Sequence, residues 1–457
     1  MVLRVLSLLL LPTLLPATTW PVGPTRPHTK PSQVANLVAN GDTVAIDAGL
    51  YPADVCIWQA SNLTLRGVGG YARLDAQGLG AQGKAIWVIA GNNTVVEHIE
   101  FFHCAVPDHN GAGIRQEGTN LTIRSCYFHD NENGLLAGDH PDSEILIEYS
   151  IFEHNGYGDG FTHNIYVNHV KKFTFRYSWT HRAVVGHELK SRAYETLIYC
   201  SRISNEDGSA SREIDLPNGG KAYLIGNIIQ QGVNGENSNI IGYGLEGLTN
   251  PGPQALFLVN NTLWNQKPTG SFVAFPNNLP TCRAYNNLLL GAGSFFAGNV
   301  VPADLDTLAN LRFLDLADAQ LTDPQQFNFS PLCTSPVIDA GTNPGIDGMQ
   351  SLLPAHVYVH PASATGSMTM GAAPEVGALE ASCSSATQAP LRPAILQQSG
   401  QRIYLSNETE GSTLDVYDLS GRLLAGQVKA FDCSARATAR YVVVLRTRGR
   451  MVWAGRM

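Results

Sequence analysis

Short runs of alternating apolar and polar residues recur along this chain at nearly constant intervals. Leu121-Thr122-Ile123, Ile145-Leu146-Ile147, Phe173-Thr174-Phe175, Leu197-Ile198-Tyr199 and Tyr223-Leu224-Ile225 each stand just before a small or polar residue. Anchored on Cys126, Ser150, Ser178, Ser201, Asn227, Asn261 and Asn287, the repeats are 24, 28, 23, 26, 34 and 26 residues apart. Intervals of that size mark stacked units that share one continuous core. They leave no room for the amphipathic helices of an α/β barrel. The pattern predicts a parallel β-coil, with Asn227, Asn261 and Asn287 at one turn position. Asparagine tolerates left-handed backbone there and its amides can ladder.

Composition narrows the class. Among 457 residues only 15% are charged and 45 are Gly, which favours a turn-rich β protein. A net charge of −8 excludes the basic face that nucleic acid needs. An anionic polymer would bind through a local basic patch or a bridging cation. Arg4, the apolar run Val5 to Pro16 and Ala17 read as a signal peptide over residues 1–19, with a buried first strand as the alternative. No segment is long and apolar enough to span a membrane as a helix. The expectation is therefore a secreted or cell-surface monomer. None of the eight cysteines forms a C-x-x-C pair, so zinc is not expected. Their pairing cannot be read from spacing, and Cys126 and Cys200 fit small core positions of the repeats.

The chemistry concentrates between Gly158 and Gly220. Ile165, Leu189 and Ile214 are 24 and 25 residues apart, one coil each. If these three point inward, alternation sends Asn164, Tyr166, Glu188, Lys190, Glu213 and Asp215 outward on coils about 4.8 Å apart. His163, His187 and Arg212 hold equivalent positions two residues before the inward ones. The rival reading is a solvated sheet face with charges paired for solubility. So many ionisable groups on neighbouring coils of a charge-poor chain point instead to a site. Lys190, crowded by Arg192, suits a general base. Arg212 suits a two-point grip on a carboxylate. Asn164, Glu188, Glu213 and Asp215 offer the oxygen ligands of calcium, the one cofactor expected. Asp139, His140 and Asp142 are a candidate rim, and Pro217-Asn218-Gly219-Gly220 a turn holding Arg212 and Asp215.

The opening Asn40-Gly41-Asp42-Thr43-Val44-Ala45-Ile46-Asp47 resembles the first coil of the pectate-lyase-like right-handed parallel β-helix superfamily. Ser335-Pro336-Val337-Ile338-Asp339-Ala340-Gly341 and Gly377-Ala378-Leu379-Glu380 resemble its closing coil. The resemblance implies a right-handed parallel β-helix over residues 30–382 and an acidic polysaccharide as partner. Lys190-Ser191 and Arg212, 22 residues apart, resemble the lysine and arginine motif of β-helical alginate and chondroitin lyases, although Glu213 and Ile214 follow Arg212. That resemblance implies β-elimination, with Lys190 as base, Arg212 assisting and calcium neutralising the carboxylate. His163, His187, Tyr166 and Arg192 complete the candidate catalytic set. Three rivals share the scaffold: a uronan C5-epimerase, suggested by Gly158-Asp159-Gly160-Phe161-Thr162-His163; an inverting hydrolase using Glu188, Glu213 or Asp215; and a non-catalytic glycan binder using Tyr157, Tyr166, Trp179, Tyr243 and Trp264. Residues 383–393 read as a linker. Residues 394–457 read as a small β-sandwich with a Ser420-Gly421 turn. This last unit resembles the C-terminal sorting domain of the type IX secretion system, which implies a Gram-negative bacterium and its secretion machinery as a second partner.

Overall fold

The computed structural model describes residues 17–276, 281–297, 304–367, 369 and 371–382, and beyond them only the strands between residues 395 and 456. The signal-peptide run and the linker lie outside the described residues. The described chain is almost entirely β, with three single-turn 3-10 segments.

Residues 43–313 wind into a right-handed parallel β-solenoid. Each coil lays one short strand on each of three faces. One face carries Leu121–Arg124, Val170–Arg176, Glu195–Tyr199 and Lys221–Ile225; the next carries Tyr127–His129, Ile151–Glu153, Trp179–His181 and Arg202–Ser204. These two merge into one 21-stranded sheet through the long strands Thr43–Pro52 and Thr64–Asp75. The third face is a separate sheet of 10 strands running from Cys56–Trp58 to Ser294–Phe296. Alternation buries one residue in two, and identical chemistry stacks from coil to coil. Phe101 lies on Phe128 at 4.8 Å and Phe128 on Phe152 at 4.5 Å, nearly coplanar. Each such side chain contributes about 1.5–3 kcal/mol on burial.

The anchor residues stack as the spacing predicted. Cys126 N–H donates to Ser150 Oγ, Ser150 N–H to Ser178 Oγ, Ser178 N–H to Ser201 Oγ, and Ser201 N–H to Asn227 Oδ1. Asn227, Asn261, Asn287 and Asn310 continue as an amide ladder, each Nδ2 donating to the next Oδ1 at 2.8–3.0 Å. The left-handed residue, however, is the one before each anchor: Ser125, Tyr149, Tyr177, Cys200, Gly226, Asn260 and Asn286 all have positive φ. The anchor side chain turns inward to satisfy the backbone of that corner.

The segment expected to close the solenoid does something else. Ser335–Gly341 forms turns, and Val337, Leu352, Tyr358, Val376 and Ala378 pack on the outside of the first two faces. Val337, Val376 and Ala378 cover the outward side chains Ile228, Trp264, Leu288 and Leu290, and Leu352 covers Tyr223 and Phe257. Those outward residues are apolar and need a cover. On the third face Ala81 and Ala85 pack over the outward Val88, and the chemistry lies on the rungs that follow.

Of the cysteines, Cys56, Cys104, Cys126, Cys200 and Cys282 are free and buried, while Cys333 is disulfide-bonded. Strands between 395 and 456 form antiparallel sheets of three and four strands. The Ser420-Gly421 turn falls outside the described residues, as do most side chains on which packing into a sandwich would rest.

Candidate active site

The third face positions the site through its register. Ile57, Val88, Arg115, Leu136, Tyr166, Lys190 and Asp215 form one outward row across successive coils. Their inward neighbours Ile165, Leu189 and Ile214 are fully buried and paired in register. Strand alternation thus delivers a phenol, an ammonium and a carboxylate to adjacent rungs.

These groups are wired together. Lys190 Nζ lies 3.6 Å from Asp215 Oδ2 and 3.2 Å from Glu246 Oε1. Arg192 Nη2 reaches Glu246 Oε2 at 2.8 Å, and its Nε donates to Tyr166 Oη at 3.1 Å. Arg192 also donates to Asn218 Oδ1, so the Pro217–Gly220 turn holds Arg192 as well as flanking Asp215. Asp215 accepts from Arg212 at 3.2 Å and faces His187 Nε2 at 3.4 Å. Burial raises the Asp215 carboxyl above its ordinary value, against the opposing pull of Arg212 and Lys190.

The rings of His163 and His187 stack at 5.0 Å. Burial, helped by Lys190 and Arg192, drives His163 down to about 3, and burial drives His187 well below its ordinary value. Both are neutral imidazoles at physiological pH. His163 Nδ1 accepts the His187 backbone N–H at 2.9 Å, which assigns its proton to Nε2. A cleft of about 530 Å³ opens here, lined among others by Lys84, Arg115, His163, Tyr166, Lys190 and Arg192. Phe161, on the loop of Gly158 and Gly160, stands 83% exposed at its rim.

Three expected outward groups point the other way. Asn164, Glu188 and Glu213 are fully buried in the solenoid interior. Alternation holds only within the three-residue strands Ile165–Val167, Leu189–Ser191 and Ile214–Leu216. The preceding residue sits on the corner and turns inward, as Asn131 and Asn155 do, to satisfy corner groups. Asn164 Nδ2 donates to Glu188 Oε2 at 2.7 Å, and Glu188 Oε1 accepts the Ala183 N–H at 2.9 Å. Burial lifts Glu188 to about 8 and Glu213 well above its ordinary value.

The four oxygen ligands assigned to calcium therefore do not converge, because Asp215 alone of them faces out. No group of three or more His, Cys, Asp or Glu side chains suited to a metal occurs among the described residues. The same burial removes Glu188 and Glu213 from the carboxylate pair a hydrolase needs. Arg212 is engaged by Asp215, Asn239 and Asn237. It serves the buried carboxylate and does not line the cleft. His140 binds the Glu117 carbonyl, Asp139 faces His169, and neither lines the cleft with Asp142. Of the aromatic row, Tyr243 and Trp264 are buried and Trp179 stacks on His181. Sequence reasoning missed Lys84, Arg115 and Glu246, and named Phe161 only within the string that suggested an epimerase. Arg115 sits at the row position of Lys190 three coils earlier, a signal available from the repeat.

The family described as "Right handed beta helix region" matches residues 61–203. No curated protein matches the chain in sequence. The crystal structure of pectate lyase Pel9A superposes with a TM-score of 0.54 at 12% identity, over 80% of this chain and 96% of that one. The mannuronan C-5 epimerase AlgE6 A-module of Azotobacter vinelandii aligns over 62% of this chain and 93% of its own, with 12% identity and a TM-score of 0.33. The pectate lyase superposition and the matched region place this chain among right-handed parallel β-helices, at the level of fold.

Proposed function

We propose that this protein cleaves an acidic, uronate-containing polysaccharide by β-elimination in the Tyr166–Lys190–Arg192 cleft. The observation that carries the reading is the phenol of Tyr166 held by Arg192, beside the Lys190 ammonium on the next coil. The substrate carboxylate binds Lys190 and Arg192, and its neutralisation makes the neighbouring C–H acidic. Tyr166, acting as phenolate, takes that proton. The released electron pair forms the C=C bond and expels the glycosidic oxygen, which takes up the proton that Tyr166 has just removed and so restores the phenolate. Lys190 serves here as an anchor, in place of the base expected from sequence, because Asp215 and Glu246 already engage its ammonium. No step passes through a metal. Phe161 supplies an apolar surface for a sugar face. The shared fold of a pectate lyase supports a polysaccharide as substrate.

The test is a panel of polygalacturonate, alginate and glycosaminoglycans, with and without a chelator, followed by the ultraviolet absorbance of unsaturated uronate. Wild type generates absorbance in either condition on one of these polymers. Tyr166→Phe lowers kcat by about 10²–10⁴-fold, the scale of a lost proton-transfer group. A change of sugar identity without absorbance, or binding without product, overturns elimination in favour of an epimerase or a binder.

The same reading places the protein outside the cell. The apolar run at residues 5–16 and the disulfide at Cys333 support export into an oxidising compartment. Residues 394–457 act as the sorting unit of a type IX secretion pathway, a role supported by antiparallel strands that pair with one another.

A further inference from the structure

Arg115 is a cation of the cleft that no acid engages. Lys84 is paired with Glu117 at 2.5 Å, and Lys190 and Arg192 share Glu246. Arg115 makes no ion pair among the described residues, and its buried Nε has no hydrogen-bond partner. Asp108, the acid of the cleft lining, instead accepts the backbone N–H of Asn110. That Nε is closed off from the cleft, so an incoming acceptor meets the terminal Nη groups, which make no ion pair among the described residues. The planar fork of arginine suits a carboxylate in two-point contact.

The register fixes where that acceptor lies. Arg115, Leu136, Tyr166 and Lys190 are consecutive rungs of the outward row. Three rungs at about 4.8 Å separate the Arg115 and Lys190 backbones by about 14 Å. That span exceeds one sugar ring, and apolar Leu136 floors the space between. We propose that Arg115 is a second carboxylate subsite. An anionic polymer then lies along the solenoid axis, with one acidic sugar at Lys190 and Arg192 and another at Arg115. This inference rests on the acidic-polymer reading and adds the direction and minimum length of the bound chain.

The experiment measures binding by the full chain of short and long oligogalacturonates and oligomannuronates, alongside methyl-esterified counterparts of equal length. In wild type the affinity rises at the length that reaches Arg115, for acidic oligomers only. Arg115→Ala removes that rise, weakening long acidic oligomers about tenfold and leaving the shortest and the esterified ones unchanged, as loss of one charge-assisted contact predicts. Arg115→Lys restores part of it. Long acidic oligomers binding Arg115→Ala as tightly as wild type would overturn the subsite and leave the elimination reading standing. Failure of wild type to bind any acidic oligomer would overturn both.

Discussion

A carboxyl group inside a β-solenoid must give up its charge, and Glu188 does. It accepts hydrogen bonds from the Ala183 N–H, Asn164 and Thr180, yet burial outweighs them and lifts it to about 8. The sign follows from linkage. A carboxyl raised from 4.5 to about 8 favours the fold fully below 4.5 and loses that contribution as pH rises through 8. Wild type is expected to lose stability across that window by up to about 1.4 kcal/mol per pH unit from this group. Glu188→Gln keeps an acceptor for Ala183 and cannot ionise, so its denaturation midpoint should be flatter with pH, with Glu213 supplying the residual slope. An unchanged slope in the variant would show that Glu188 does not titrate there. On the outer row, Arg192 is the residue whose geometry carries most. Lysine keeps its charge but cannot hold Tyr166, Asn218 and Glu246 at once. Arg192→Lys should lower kcat at least tenfold while binding an acidic oligomer nearly as tightly as wild type. Equal losses in kcat and affinity would reduce Arg192 to a binding contact.

At the scale of the coil, the sequence was legible wherever a residue sits in mid-strand or at the repeated anchor. Lys190 and Asp215 face outward as alternation requires, and the anchors from Cys126 to Asn287 stack as their spacing implied. Corners were illegible. Asn164, Glu188 and Glu213 stand one residue before a strand, where the chain bends and the period of two does not apply. Only the corner's need for buried acceptors decides their direction, and that need is set by other coils. The anchor ladder is also where the coil is most vulnerable. Asn261 Nδ2 donates to the Leu224 carbonyl at 2.7 Å and to Asn287, while its Oδ1 accepts both the N–H and the Nδ2 of Asn227. Asn261→Ala strands several buried groups at about 1–3 kcal/mol each. Ser201→Ala strands fewer groups, the Ser178 N–H and the Tyr199 carbonyl. The expected order in urea is wild type, then Ser201→Ala, then Asn261→Ala well below. Equal midpoints for the two variants would mean that the ladder adds nothing beyond packing.

For the whole molecule, the third face owes its openness to what lies on the other two. Described residues between 337 and 378 fold back over apolar outward side chains of the first and second faces, whereas on the third face the apolar rungs Val88 and Leu136 pack with Ala81, Ala85 and Ala112, and Arg115, Tyr166, Lys190 and Asp215 supply the polar rungs. The sequence marked residues 335–380 as the end of the solenoid. Their role as a cover was hidden, because it depends on which side of each strand faces out. The site is thus built wholly from coils between residues 84 and 246, with the cover and the C-terminal sheets elsewhere in the chain. The strands from 395 to 456 pair only with one another, in two antiparallel sheets. Catalysis and export should therefore separate. A chain ending at residue 393 retains every cleft residue. It should match the full chain in unsaturated product per mole of purified protein, within about twofold. In a bacterium with a type IX pathway it should remain in the periplasm, while the full chain reaches the surface. Fractionation of cells with an activity assay on each fraction decides both points. Surface activity from the shortened chain would remove the sorting role of residues 394–457. Loss of activity in the purified shortened protein, with its far-ultraviolet spectrum intact, would instead place part of the catalytic apparatus beyond the solenoid.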